Sequence, residues 1–361
     1  DGAGCGGAGM KSASGTLAAP FPWFGGKSGA VTETWEAFGA VDNYVEPFSG
    51  SAAMLLGAPD GNRVETINDA DGFVANFWRA IASDPEAVAY WADWPCNEAD
   101  LFARHSWLVR QADDLKAKLH DCDFYDARIA GWWCWGACNW IGSGWCGGKG
   151  PWVWDGEQIV NARKLPHLGD AGRGINRQLP HLDRPRGINR QLPHLDRPRG
   201  INRARESGQG SRTQFILDWF DALHERLRDV RVTCGDWSRV VKDSVTTRHG
   251  LTGVFLDPPY TKGSMEYTAA GCGGELADAV RAWCLANGES EKLRIVLCGH
   301  AGEHDELLAH GWTLRKWTAR KGYAVTDEAI ENSASETLWC SPHCVSAAGA
   351  VNFDLFSEAV A

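Results

Sequence analysis

The stretch Asn43-Tyr44-Val45-Glu46-Pro47-Phe48-Ser49-Gly50-Ser51-Ala52-Ala53-Met54-Leu55-Leu56 decides the fold. Its opening, Asn43–Phe48, carries aromatic and β-branched side chains and reads as a strand. Small residues from Ser49 to Ala53 make a tight turn, after which Met54-Leu55-Leu56 enters a helix. Strand, tight turn and helix open a doubly wound α/β sheet. Working outward, Val64–Asn68 is a second short strand ending at Asp69, and Val74–Ala82 has helical apolar spacing. Farther on, Val230–Cys234 ends at Gly235-Asp236, Val254–Leu256 at Asp257, and Arg294–Cys298 at Gly299. Each short run has a polar residue or glycine at its carboxyl end, which is where parallel α/β sheets hold their ligands.

Between the second and third strands lies an insertion of about 140 residues, far longer than an ordinary crossover, and it is expected to form a separate subdomain. Pro85–His120 reads as helices, whereas Ile129–Trp154 is dense in Trp, Gly and Cys and has no clean period. A tandem repeat follows: LPHLGDAGRGINRQ at Leu165–Gln178, LPHLDRPRGINRQ at Leu179–Gln191 and LPHLDRPRGINRA at Leu192–Ala204. Its Pro and Gly punctuation suits turns or extended segments. Two readings stand side by side, a duplicated tolerant loop and an arginine-bearing arm that faces nucleic acid.

The chain has 361 residues, 44% hydrophobic and 23% charged, which suits a soluble globular protein and excludes disorder over most of its length. No window approaches the ~18 uninterrupted apolar residues of a membrane helix. The opening Asp1–Ala19 lacks an apolar run suited to a signal peptide, and a cytoplasmic location is expected. Asp1–Gly9 precede the first Met, at position 10, and read as upstream sequence outside the fold. The formal charge is −10, which taken evenly would disfavour a polyanionic partner. The charge is not even. From Arg163 to Arg205 eleven bases face three acids, a net of +8 that leaves −18 on the remainder, so one strip can still focus phosphates. Twelve cysteines without a secretion signal are read as reduced thiols. Cys134, Cys138 and Cys146, or Cys340, His343 and Cys344, could ligate zinc, but neither set has paired Cys-x-x-Cys spacing, and no metal is expected.

Four motifs carry chemistry. Gly25-Gly26-Lys27-Ser28 invites a phosphate-loop reading, which fails because Phe21 stands where that loop needs glycine. A flexible Gly pair remains, with a lysine poised for a carboxylate or phosphate. Glu46–Ala53 lacks the G-x-G-x-x-G fingerprint, disfavouring hydride transfer, and its small residues suit passage beneath a neutral or cationic nucleoside. Asp69 fits either a ribose acceptor or a helix N-cap. Asp257-Pro258-Pro259-Tyr260 sets a carboxylate, a free carbonyl and an aromatic face together at a strand end. A planar amino-purine needs two acceptors for its amino group and a ring to stack on.

Trp23–Lys27, Tyr44–Ala53, Asn68-Asp69 and Asp257–Tyr260, in this order and with a long insertion before the last, resemble the Dam-type DNA adenine-N6 methyltransferases. The tail Glu336-Thr337-Leu338-Trp339-Cys340-Ser341-Pro342 resembles that family's closing hairpin region. The resemblance covers about Pro20–Ala82 and Val230–Cys344 and omits the repeats. It implies a Rossmann-like, seven-stranded methyltransferase sheet with an inserted, mainly helical and loop-rich target-recognition subdomain. The implied division is a tail over 1–19, a catalytic domain over 20–82 and 213–345, the recognition subdomain over 83–212 with repeats at 165–204, and a tail over 346–361.

The resemblance further implies S-adenosylmethionine as cofactor, with Trp23, Gly26 and Lys27 at its methionine end. Glu46, Phe48, Gly50 and Ser51 would line its loop, Asp69 its ribose and Asp236 its adenine edge. A flipped adenine would stack on Tyr260, its amino group held by Asp257 and the Pro258 carbonyl, with Pro259 fixing the turn. Double-stranded DNA is the implied partner, met by Lys149, Arg177, Arg184, Arg186, Arg190, Arg197, Arg199 and Arg203. The resemblance leaves open a cognate restriction endonuclease, a bacterial or phage source, the target sequence and the oligomeric state. Cytosine-N4 methylation, an RNA substrate and a non-catalytic DNA-binding relative are the competing readings. The nineteen tryptophans, several in the insertion, fit either helix packing or stacking on unpaired bases.

Overall fold

The computed structural model describes residues 17–23, 26–140, 145–146, 152–154, 159–161, 201, 211–259, 273–317 and 336–345. Lys149, Tyr260 and the arginines of the repeats lie outside these residues.

Seven strands form one mixed sheet: β1 (Asn43–Glu46), β2 (Val64–Asp69), β5 (Val230–Cys234), β6 (Thr252–Leu256), β7 (Leu293–His300), β8 (Thr313–Lys316) and β9 (Glu336–Cys340). Their order is β5-β2-β1-β6-β7-β9-β8. The five strands from β5 to β7 pair in parallel, whereas β9 runs antiparallel between β7 and β8. This is the seven-stranded, Rossmann-like sheet that the resemblance implies. Chain order reverses on either side of β1, so the β1–β6 boundary is the switch point where such sheets open a crevice. A separate pair, β3 (Trp152–Trp154) and β4 (Ile159–Asn161), is antiparallel.

Alternation along the central strands divides the core into two layers. Val254 and Leu256 of β6, Ile295 and Leu297 of β7, and Trp339 of β9 face one layer, shared with Val280 and Cys284 of α8 (Gly273–Asn287). Phe255, Val296, Cys298 and Leu338 face the other. That second layer holds α1 (Val31–Phe38), α3 (Gly72–Ser83) and α7 (Arg212–Leu227), while α2 (Ala53–Leu56) follows the β1 turn. Helix α7 is tied to the sheet by Arg226, which donates to both oxygens of Glu65 and to the Leu55 carbonyl.

The same layer continues into the insertion: α4 (Pro85–Ala92), α5 (Glu98–Lys118) and α6 (Ala127–Asn139) add Val88, Leu108, Ile129, Trp133 and Trp135 to it. Phe21 joins the two parts, its ring edge-on to both Phe77 of α3 and Trp133 of α6. Helix α6 occupies the first part of Ile129–Trp154, where the sequence has no clean period. It is apolar on nearly every side, and a helix packed all round has no polar face to set a period. A Cβ on Gly131 would stand 2.5 Å from Trp91 Cβ and 2.7 Å from the Val88 carbonyl. Glycine therefore lets α6 approach α4 closely. Aspartates cap these helices: Asp71 accepts from Phe73 N, Asp84 from Ala87 N and Asp126 from Ile129 N. Among the described residues, no helix is long and apolar enough to cross a membrane.

Candidate active site

The carboxyl ends of β1, β2, β5, β6 and β9's amino end meet along one rim. Glu46 closes β1 with its side chain buried. Its Oε2 accepts the Tyr44 hydroxyl at 3.0 Å and Leu55 N at 3.3 Å, which locks the strand to α2. Burial pushes the Glu46 carboxyl up to about 8, against the pull of those two donors.

The loop leaving β1 is held by β2. Asp69 accepts Gly50 N through Oδ2 and Asp71 N through Oδ1, each at 2.9 Å. Asn68 donates to the Pro47 and Gly235 carbonyls, each at 3.0 Å, and the Gly50 carbonyl accepts from Trp78 Nε1 at 2.9 Å. Gly50 has φ +44°, and a Cβ there would run into the Trp23 ring. Only glycine allows both the left-handed turn and that contact. The N-cap alternative for Asp69 belongs instead to Asp71, while Asp69 fixes the loop and is raised to about 7 by burial and the neighbouring Asp71 charge.

Asp236 follows β5 and is exposed, capping the short turn Trp237–Arg239 by accepting Ser238 N at 2.9 Å. That turn brings Trp237 against Phe48, their rings stacked at 6.0 Å. Asp257 follows β6 next to the switch point, with Pro258 buried and Pro259 half-buried behind it. Its Oδ1 lies 3.1 Å from Lys27 Nζ, and Lys27 is 5% exposed. Glu336, the first residue of β9, stands 3.8 Å from the same ammonium. Burial lowers the proton affinity of Lys27, yet Asp257, Cys298 and Glu336 outweigh it and the net direction is upward. Glu336 is raised to about 7, by burial first.

The fold thus draws Trp23, Lys27, Glu46, Gly50, Asp69 and Asp257 to one rim from segments more than two hundred residues apart in sequence. Gly26 and Ser51 lie on the flanking loops, Gly26 exposed and Ser51 half-buried, and Phe48 lines the wall. Residues 23–119 match the family model of the D12 class N6 adenine-specific DNA methyltransferases. Over these residues the chain is similar to a DNA adenine methyltransferase. The matched residues run from Trp23 through Asp69 and into α5, and Asp236 and Asp257 lie beyond them. No curated protein matches the chain.

Two participants escape motif reading. Trp237 belongs to a short turn with no pattern of its own. Glu336 sits in the tail whose resemblance to the family's closing hairpin was the available signal. Cys134 and Cys138 are buried on α6 and face the Pro20 carbonyl, at 3.9 and 3.3 Å.

Proposed function

We propose that this protein is a site-specific DNA adenine methyltransferase that moves a methyl group from S-adenosylmethionine to N6 of an adenine turned out of double-stranded DNA. One observation carries the reading: Asp257, Glu46 and Lys27 converge at the switch point, where the described residues supply more carboxylates than cations. Asp257 and Glu336 face the Lys27 ammonium, Glu46 and Asp69 lie farther along the same rim, and burial raises three of the four carboxyls. A ligand carrying net positive charge fits such a rim, and S-adenosylmethionine is such a ligand.

When bound, the cofactor supplies a sulfonium methyl, an electrophile that needs no metal. Trp23, Gly26 and Lys27 would hold its methionine end. Glu46, Phe48, Gly50 and Ser51 would line its loop, with Asp69 toward the ribose and Asp236 toward the adenine edge. The exocyclic amino group of adenine is a poor nucleophile because its lone pair is delocalised into the ring. Hydrogen bonds to the Asp257 carboxylate and the Pro258 carbonyl favour the tetrahedral nitrogen that can attack in line. Pro259 fixes the turn, and Tyr260 would stack on the extruded base. The recognition region over 83–212, with Lys149 and the repeat arginines Arg177, Arg184, Arg186, Arg190, Arg197, Arg199 and Arg203, would meet the phosphates. A cytoplasmic location and a cognate restriction endonuclease belong to the same proposal.

Asp257→Ala tests it. Tritiated methyl incorporation into DNA should vanish while calorimetric cofactor affinity stays within a few-fold. Mass spectrometry of digested wild-type product should return N6-methyladenine. N4-methylcytosine as the product, or normal methylation by the variant, would overturn the assignment.

A further inference from the structure

In this structure Asp257, the carboxylate proposed to hold the target amino group, already faces Lys27 Nζ through Oδ1 at 3.1 Å. A buried ammonium cannot be left without a counter-charge, since an unpaired buried ion costs several kcal/mol. An amino group entering there competes with the ammonium for that carboxylate, and the competition eases if the ammonium has another carboxylate to turn to. Glu336 supplies one. Its carboxylate lies 3.8 Å from Lys27 Nζ, it is only 13% exposed, and Oε2 is buried with no hydrogen-bond partner among the described residues. A movement of under about 1 Å would bring the ammonium to hydrogen-bond distance from Glu336. β9 is antiparallel in an otherwise parallel run, and this is why its first residue, rather than its last, reaches the rim, where Glu336 pairs with His300 of β7.

We infer that Glu336 is a positioning residue that draws the Lys27 ammonium off Asp257 as the target amino group enters, freeing the acceptor that orients the nucleophile. The inference rests on the proposed role of Asp257 and adds a residue acting through Lys27. No bond is made or broken in the handover; one ion pair is exchanged for another.

The test compares methyl transfer to DNA by the full-length wild type, Glu336→Gln, Glu336→Asp, Lys27→Met and the double variant Lys27→Met/Glu336→Gln. Cofactor affinity and thermal melts are measured on each. Removing a group that orients another typically costs about 10–100-fold in activity. Glu336→Gln should therefore lower kcat by about that factor, with KM for DNA and cofactor affinity within a few-fold, and Glu336→Asp should recover part of the loss. Without the ammonium there is nothing to hand over, so Glu336→Gln should have no further effect in the Lys27→Met background. Wild-type kcat in folded Glu336→Gln, or effects of the two substitutions that multiply, would overturn the inference while leaving Asp257 its role. A wild type that methylates no DNA would overturn the functional reading and this inference together. Should Glu336→Gln not fold, the Asp variant and the charge-balanced double variant still decide the question.

Discussion

At the strand ends this protein gathers carboxylates around one buried ammonium, whereas among helices α4 to α6 it buries a cation against aromatic faces. Arg104 is 7% exposed, and its guanidinium carbon lies 4.6, 5.0 and 4.3 Å from the ring centres of Trp94, Trp132 and Trp135. Arg128 lies 4.2 Å from the ring centre of the same Trp132, and also over Trp91 and Trp107. Arg104 also faces the exposed Asp100 at 4.0 Å, but the attraction of the ring faces for the cation is indifferent to pH. The strand-end carboxylates are the reverse case, because their protonation changes in the neutral range. The helical region is built to persist, and the rim to accept charge.

Substitutions should separate the two regions, most sharply in rate. Asp257→Ala removes an acceptor aimed at the reacting nitrogen and should cost at least about 10²–10³ in kcat, beside a smaller fall in the unfolding midpoint from losing the nearer counter-charge of Lys27. Arg104→Ala should do the opposite, destabilising by about 2–3 kcal/mol in urea unfolding through lost packing and cation–π contacts. If Arg104→Ala unfolds like the wild type, the tryptophan enclosure is not what steadies the insertion.

The pH dependence of stability sharpens the comparison further. Glu46 at about 8, with Asp69 and Glu336 at about 7, binds protons more tightly folded than unfolded. Their contribution is complete below the ordinary carboxylate range and is lost as pH rises through 7 to 8. His105 runs the other way. Packed flat against Trp140 at 4.9 Å and lowered by burial to about 4, it is neutral when folded, so its contribution is lost as pH falls from about 6.5 toward 4. The two windows overlap between about pH 4.5 and 6.5, where three carboxyls outweigh one histidine, so thermal melts should fall as pH rises from about 5 to 8; Glu46→Gln should flatten that fall and His105→Phe should steepen its lower part. The same change from both variants would break the assignment of opposite signs to the two regions.

The smallest effect on the fold is expected from removing Leu179–Gln191. This deletes Arg184, Arg186 and Arg190 but keeps Ile201, whose buried side chain joins the core and whose amide donates to the Pro20 carbonyl at 2.9 Å. Melting should be unchanged. If the deleted arginines contact phosphates, the slope of log affinity for DNA against log salt should flatten by about one per lost contact. An unchanged slope would favour the tolerant-loop reading of the repeats.

The strands were legible because parallel strands buried on both faces need short β-branched runs, and each ends in a polar or glycine residue. Val230–Cys234 agrees residue for residue, and β1, β2, β6 and β7 differ only at their ends. Glu46, Asp69 and Asp257 were legible for a related reason, their positions at strand ends, whereas Trp23 and Lys27 lie in the loop before α1 and were legible only through the family resemblance. Helix α6 was not legible, because burial on nearly every side removes the polar face that marks a period. Nor was the role of Glu336, which depends on β9 entering the sheet in the reverse direction, a matter of long-range pairing. The sequence alone determined the α/β class, the strand ends and the residue types gathered there, since these follow from local pattern and composition. Tertiary structure decided which carboxylates share the Lys27 ammonium and which oxygens the backbone already occupies, because those depend on ångström-scale distances between segments that no local pattern encodes.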